Sequence, residues 1–480
     1  MSTATRVLED STADALRDGV LNEEQAAAIY ARGREAVIFA LLELTKQLAE
    51  ARQAAGRSVG PATPSGMIPV YEKPATQGRG KRPGAKPGHP GARRPVPERI
   101  DRRITHRLAC CPRCGGRLRR TDRTRTRWTE DIPDHPTSLV TEHTIHRDWC
   151  PRCRQQVEPR VPDALPRATL GHRTLVFSAW LHYGLGNTLS QILEVFNHYL
   201  QLPLSKGGLA AMWQRLAETL RPWYDEIQRE ALDSAVLHAD ETGWRESGKT
   251  RWLWCFGNAA VTYYMIDKKR GSPALRKFFQ EEFAGTLVTD FWGAYNSVVC
   301  GARQTCLVHL LRDLEHVEQY KRPGPTWPAF AKKLRRLVRD AIRLSNWGQR
   351  DGEAFTSRRE RLHARLAELV ETPWKDSQAR RLVKRLRRHQ NDLFTFLVHA
   401  EVPFDNNHAE RAIRPAVIIR KNSYCNRSQR GADTQAMLMS IYRTLKQRGH
   451  DPLDTITQTL VAWVTTNQLP PLPPKITSNG

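Results

Sequence analysis

Apolar positions recur along this chain with different periods, and each period marks a different kind of segment. Over residues 22–52, Val37, Leu41, Leu44 and Leu48 fall at alternating four- and three-residue steps, which predicts one helix carrying a short coiled-coil seam. Nothing adjacent in sequence offers a surface to cover that seam, so a homo-oligomer is expected. Residues 56–100 lose hydrophobic periodicity and are dense in Gly, Pro, Lys and Arg, as a flexible linker would be. Strand-like runs at 125–132 and 138–149 suggest a hairpin. Between 171 and 232 the pattern is helical, with one helix over 189–200, a break at 202–204 and Ser205 placed to cap the next. A helix-turn-helix and a plain helical linker fit that stretch equally well.

After Ser234 the period shortens. AVLHAD at 235–240, RWLWCF at 251–256 and VTYYMI at 261–266 read as three consecutive strands. An amphipathic helix over 273–283 follows, then a strand GTLVTD at 285–290 and a fifth strand at 303–309. Helical patterns near 330–344, 356–370 and 376–398 fill the interval before a further helix that begins after Asn406 or Asn407. The expected fold class is multidomain α/β. Its modules are an N-terminal helix (1–55), the basic linker (56–100), a module around the two strand-like runs (101–165), a helical segment that a helix-turn-helix would make DNA-binding (166–232), an α/β domain (233–430) with a helical insertion at about 315–400, and a C-terminal helical segment and tail (431–480).

Charge changes this picture from a fold to a partner. Lys and Arg number 75 against 50 Asp and Glu, a net +25 with a pI near 10.1, the balance expected of a protein that binds phosphate. Positions 79–128 alone hold seventeen Lys or Arg and three acids, enough to track a nucleic-acid backbone without reading its sequence. An acidic membrane surface would attract the same charge. No run of about 18 apolar residues exists, and the first thirty residues carry acids and no signal-peptide pattern, so the expectation is a cytoplasmic, nucleoid-associated protein with no membrane partner.

The cysteines point to metal rather than disulfides. Nine is an odd number, and four of them form two identical turns, Cys111-Pro-Arg-Cys114 and Cys150-Pro-Arg-Cys153, separated by 35 residues. Each turn can present two thiolates, as one tetrahedral Zn²⁺ requires, and Cys110 is a spare thiol beside the first.

Two acids, Asp240 and Asp290, end predicted strands, where open α/β sheets bind ligands and where neighbouring strands can bring carboxylates within reach of one metal. A third acid is needed to hold two ions against a phosphodiester, and Glu410 in FDNNHAERAIRP (404–415) is the candidate. Asn407 followed three residues later by Glu410 is also close to a capping box, in which the glutamate would satisfy a backbone N–H instead. Its neighbours favour the metal: Arg411, Arg414, Arg420, Lys421, Arg427 and Arg430 crowd the next twenty residues, as suits contact with DNA phosphate.

Three strands, a helix and a fourth strand, with acids ending the first and fourth and a distant helical glutamate, resemble the ribonuclease-H-like transposase core. HADETGW (238–244), VTDFWGAYN (288–296), CLVHLLRDL (306–314) and DNNHAERAIRP (405–415) further resemble the bacterial insertion-sequence-sixty-six transposases over nearly the whole chain. The resemblance implies Asp240, Asp290 and Glu410 as ligands of two Mg²⁺ ions, with Mn²⁺ an alternative, and Cys111, Cys114, Cys150 and Cys153 as ligands of one structural Zn²⁺. It implies terminal inverted repeats and target DNA as partners, with companion proteins encoded alongside. Cys306-Leu-Val-His309 resembles a cysteine and histidine signature found after the second aspartate in several transposase superfamilies. On the inner face of an edge strand such a pair is more often packed or hydrogen-bonded than metal-bound. Two other readings remain open: a zinc-containing DNA-binding regulator without chemistry, and a nuclease of the same fold that cuts but does not join.

Overall fold

The computed structural model describes residues 23–54, 103–119, 138–348 and 350–476, together with positions 98, 100, 125, 126, 129 and 136. The basic linker at 56–100 and the strand-like run at 125–132 therefore lie, apart from single positions, outside the described residues. In chain order the elements are α1 (Glu23–Ala31), α2 (Arg34–Ala54), β1 (Asp148–Cys150), β2 (Gln155–Val157), α3 (His172–Ala179), α4 (Leu189–Glu194), α5 (Lys206–Thr219), α6 (Arg221–Leu232), β3 (Val236–Glu246), β4 (Lys249–Gly257), β5 (Thr262–Asp267), α7 (Ser272–Phe278), β6 (Phe283–Thr289), β7 (Cys300–Thr305), α8 (Leu307–Tyr320), α9 (Trp327–Ser345), α10 (Glu353–Glu371), α11 (Ser377–Arg388), α12 (Asn407–Ser423), α13 (Gln429–Gln447) and α14 (Pro452–Thr466). No described helix is long and apolar enough to cross a membrane. The chain forms two compact units, one of residues 1–69, 220–451 and 471–480, the other of 70–219 and 452–470.

The second unit holds the paired cysteine turns and a cluster of helices. Ser205 caps α5 as its position suggested, its Oγ accepting from Gly208 N at 3.1 Å. The expected helix over 189–200 is α only to Glu194 and continues as a π-helical turn, Val195–Tyr199. Of the hairpin expected from 125–132 and 138–149, the first arm lies mostly outside the described residues and only the end of the second is strand: β1 pairs with β2, Cys150 opposite Gln155, so the second cysteine turn itself is a hairpin loop.

The first unit opens with two helices where the seam at 22–52 predicted one. The chain breaks at Gly33, whose φ of +95° a residue with a side chain rarely adopts, and Gly33 N donates to Tyr30 O. The break folds Val37 and Leu44 of the seam against Ile29 and Ala40, while Leu41 stays 60% exposed; the side chain of Leu48 lies outside the described residues.

A five-stranded mixed sheet in the order β5-β4-β3-β6-β7 forms the centre of this unit. Strands β3, β4 and β5 run antiparallel in succession, whereas β6 pairs parallel with β3 and β7 parallel with β6. The β3–β4 turn is Ser247-Gly248, both at positive φ, the two-residue geometry whose twist matches the flanking strands. Cross-strand partners share a face, so Asp240, Cys255 and Tyr264 stand together, and the Tyr264 hydroxyl donates to Ala412 O of α12 at 2.5 Å. The other face carries Phe256, stacked 3.8 Å from Phe278 of α7, and Tyr263, stacked 4.5 Å from Tyr224 of α6. Helix α6, expected with the DNA-binding segment, thus packs on the sheet. Helices α9, α10 and α11 build an apolar core with α8 that also takes in Val288 of β6, and in it Trp327, Phe330, Leu334 and Leu337 of α9 are buried. The third of these helices ends at Arg388, well short of the expected 398.

Strand β5 lies at the sheet edge and would expose unpaired backbone donors, but α13 covers it. Thr262 N donates to Thr444 Oγ1 at 3.1 Å and Tyr264 N to Ser440 Oγ at 2.8 Å, both buried. Ser440→Ala leaves the Tyr264 amide without an acceptor and lowers the stability of this unit by about 1–3 kcal/mol. A urea midpoint that falls together with loss of hydrogen-exchange protection at Tyr264 is the expected result; unchanged protection there would show that the side chain does not cap the strand.

Candidate active site

Asp240 does not end its strand: it is the fifth residue of β3, which runs on to Glu246 in its hairpin with β4. What ends there is the parallel ladder with β6, whose last pair is His238 opposite Val288. Carried two residues further, the same register sets Asp240 beside Asp290, the residue immediately after β6. Each carboxylate accepts one backbone N–H, Asp240 Oδ1 from Glu241 at 2.9 Å and Asp290 Oδ1 from Trp292 at 2.8 Å. That is too little to offset removal from water. Burial, then the charges of Glu241 and Asp290, hold the Asp240 carboxyl well above the usual carboxylate range. Asp290 is pushed up to about 7, by burial first and then by Glu241, against the opposing pull of the Trp292 N–H, Arg270 and Arg385.

Glu410 arrives from α12. Asn406 is the N-cap and Ala409 the third helical residue, so Glu410 stands one position too late for a capping box, and the cap reading fails on register. Its carboxylate reaches instead to the first turns of α8, where Arg312 donates at 3.2 and 3.5 Å and His309 Nδ1 lies 3.8 Å away. Cys306 and His309 are correspondingly not on a strand. Strand β7 stops at Thr305, Cys306 is the N-cap of α8 and His309 is in its first turn.

The start of α12 is held by Asn406, which the sequence marked only as a helix boundary. It is 1% exposed, and its Nδ2 donates to Ala239 O of β3 at 2.8 Å while its backbone N donates to Cys306 Sγ at 3.3 Å. Because Nδ2 is used in this way, Oδ1 must accept from His238 Nδ1 at 3.0 Å, which assigns the His238 proton to Nδ1. Burial pulls the His238 imidazole down to about 4, so it is neutral at ordinary pH.

Strand alternation sends Glu241 to the opposite face from Asp240, and sequence reading missed it. It is 4% exposed and fully engaged: Arg270 donates to Oε1 at 3.0 and 2.9 Å and the Tyr295 hydroxyl to Oε2 at 2.6 Å. Arg270 lies between the rings of Trp252 and Trp292, 4.6 and 3.9 Å from their centroids. Nothing in the local sequence pairs residues 29 and 54 positions apart, so only folding reveals this brace.

Of the six cations grouped with Glu410, Arg411, Arg414, Lys421, Arg427 and Arg430 are exposed. Arg420 differs. Half-buried, it donates to Thr242 Oγ1 at 2.9 Å and to Gly243 O, fastening the end of α12 to β3. At the cysteine turns, backbone N–H groups of Arg113 and Cys114 draw the Cys111 thiol below its ordinary value, and those of Cys153 do so for Cys150. Among the described residues the four cysteines Cys111, Cys114, Cys150 and Cys153 are not gathered into one cluster of three or more ligand atoms. The group that is so gathered comprises Cys306, His309 and Glu410, whose ligand atoms lie within 4.8 Å of one another.

A family model described as "Transposase IS66 family" matches residues 167–434, more than half of the chain. Three relatives come from Sinorhizobium fredii (strain NBRC 101917 / NGR234). "Uncharacterized protein y4qI" is 28% identical over 53% of this chain and 51% of its own length, so the chain matches about half of that relative. "Uncharacterized protein y4hP" is 23% identical over 75% of this chain and 72% of its own, and "Uncharacterized protein y4jD" 24% identical over 78% and 80%.

A carboxyl whose folded pKa is raised contributes stability that is fully present below its unfolded pKa and is lost as pH rises through the folded value. For Asp290 that window runs from about 4 to about 7. In metal-free protein, Asp290→Asn is therefore expected to raise stability at pH 8, by on the order of 2–4 kcal/mol, and to give little advantage at pH 4. Thermal unfolding in chelator at the two pH values measures this; an equal effect at both would mean that the carboxyl is not buried as a charge.

Proposed function

Since the chain belongs to the IS66 transposase family, we propose that it binds the ends of a bacterial insertion sequence and target DNA and catalyses metal-dependent cleavage and strand transfer at Asp240, Asp290 and Glu410. The observation that carries this reading is the packing of Asp240 beside Asp290, each carboxylate accepting a single backbone N–H and both held above the usual carboxylate range, an arrangement whose repulsion a divalent cation relieves. The donor set fits in kind, being hard carboxylate oxygen where the β3–β6 ladder ends and at the start of α12. The antiparallel run β3-β4-β5, helix α7 and two further strands parallel to β3 support a ribonuclease-H-like core with α9, α10 and α11 as its helical insertion.

Asp240, Asp290 and Glu410 would hold two Mg²⁺ ions, or Mn²⁺. The chemistry such ions supply when bound is activation of a water or a DNA 3′-hydroxyl and stabilisation of the leaving oxygen in an in-line displacement at phosphorus. The chain's own residues fix the geometry. Glu241, Arg270 and Tyr295 brace β3 from behind, and Asn406 sets where α12 begins, hence where Glu410 can reach. The exposed Arg411, Arg414, Lys421, Arg427 and Arg430 offer charge to the DNA backbone, while Arg420 serves the fold. For the other unit we propose one structural Zn²⁺ on Cys111, Cys114, Cys150 and Cys153, supported by turns that already favour thiolate.

Purified protein incubated with labelled element-end DNA and Mg²⁺ should cleave and join. Asp240→Asn, Asp290→Asn and Glu410→Gln each lower the rate by about 10³-fold or more, the loss expected when metal stabilisation of the transition state is removed, with end binding nearly unchanged. Asn407→Ala leaves the rate within a few fold. Full activity in Asp240→Asn would overturn the assignment, and cleavage without joining would favour a nuclease. Cys111→Ser and Cys150→Ser should each lower bound zinc by one ion per chain in elemental analysis; unchanged zinc would remove the knuckle proposal.

A further inference from the structure

The cluster at the start of α8 has a donor set unlike that of the aspartates. Cys306 supplies a soft sulfur, His309 a borderline nitrogen and Glu410 a hard oxygen, and their ligand atoms lie within 4.8 Å of one another. His309 Nδ1 is buried without a hydrogen-bond partner, 3.8 Å from Glu410 Oε1, an orphan acceptor position that hydrogen bonding in the fold leaves unused. Cys306 is 1% exposed, and its Sγ is oriented by the Asn406 N–H. We propose that Cys306, His309 and Glu410 form a site for one thiophilic divalent cation of the zinc class, with its fourth position open.

The geometry needs little adjustment. Ligand atoms around a tetrahedral zinc stand about 3.5 Å apart, so side-chain shifts on the order of 1 Å close the cluster. The cation now facing Glu410 is Arg312, whose side chain is 49% exposed and can swing into water; an ion pair so exposed holds Glu410 weakly. Arg385 also faces His309, but its guanidinium is engaged by Asp313. Binding releases the thiol proton to solvent and places thiolate, imidazole and carboxylate on the ion. Helix geometry explains the spacing: an N-cap and the third residue after it lie on one side of a first turn, and Asn406 delivers the start of α12 to that turn.

The site has a consequence that rests on the proposed role of Glu410. A thiophilic ion here withdraws that carboxylate from Asp240 and Asp290, so zinc would inhibit a reaction that Mg²⁺ supports. Binding itself stands or falls independently of that role.

The test uses the full chain with Ser at positions 111, 114, 150 and 153, titrated with Co²⁺ under reducing conditions, after circular dichroism and thermal unfolding show that the sheet unit is folded. One Co²⁺ should bind with a thiolate-to-cobalt charge-transfer band in the near ultraviolet. Cys306→Ser abolishes the band, while His309→Ala and Glu410→Gln keep it but weaken affinity by about tenfold or more. Excess Mg²⁺ leaves the band in place. If the fourfold Ser background unfolds, zinc analysis of the otherwise unaltered chain replaces it, with Cys306→Ser expected to lower the ion count by one when zinc is supplied in excess. No cobalt–thiolate band in the folded background, a band that survives Cys306→Ser, or an unchanged zinc count would overturn the site. A site that binds cobalt without zinc inhibition of DNA cleavage would keep the metal and refute only the competition for Glu410.

Discussion

The parallel pairing of β3 with β6 is the constraint on which the rest of the candidate site depends. Three residue pairs hold it, Val236 with Thr286, Leu237 with Leu287 and His238 with Val288. Where this ladder stops, Asp240 and Asp290 stand side by side at the same level, on strands that hydrogen bonding keeps from spreading apart. A parallel pair requires a crossover between its strands. Here β4, β5 and α7 form it, and their aromatic face packs one side of the sheet while leaving the aspartates on the other.

Two like charges drawn from water into one place destabilise the fold, and the surroundings divide that burden. Glu241, the third acid in this neighbourhood, is neutralised on the far face by Arg270 and Tyr295, whereas Asp240 and Asp290 receive only one backbone N–H each. This asymmetry separates a structural acid from acids available to a cation. Both aspartates have raised pKa values, with burial as the first cause.

Asn406 joins the parts that the sequence keeps far apart. One side chain and its backbone N–H tie β3, His238 and Cys306 to the first turn of α12. Glu410 is consequently held near His309 and Arg312 and within electrostatic reach of Asp240. The same junction creates two environments around one carboxylate: hard oxygen on the aspartate side, sulfur and nitrogen on the α8 side. Ions of different softness would use Glu410 differently, which links the proposed reaction to the proposed thiophilic site.

Local patterns made much of this legible. Apolar runs marked the start of β3 and the bounds of β4, β5 and β6 to within two positions, though β3 runs six residues past its expected end; the period of Phe330 to Leu344 marked α9, and Ser205 marked the start of α5, because burial of one face and satisfaction of end groups are dictated within a few residues. Asp240 and Asp290 stood out as acids at apolar strands for the same reason. Other features were invisible locally. The passage of Cys306 from a supposed strand into a helix cap, the engagement of Arg420 with β3, and the brace around Glu241 each depend on partners remote in sequence. That Glu410 does not cap its helix turned on a single step of register that Asn406 sets through contacts with Ala239 and Cys306. Sequence by itself determined which residues are candidates for the chemistry and where most strands and helices lie. Tertiary structure alone decided which acids share a face, because that depends on strand register and helix docking, which no short stretch of chain encodes.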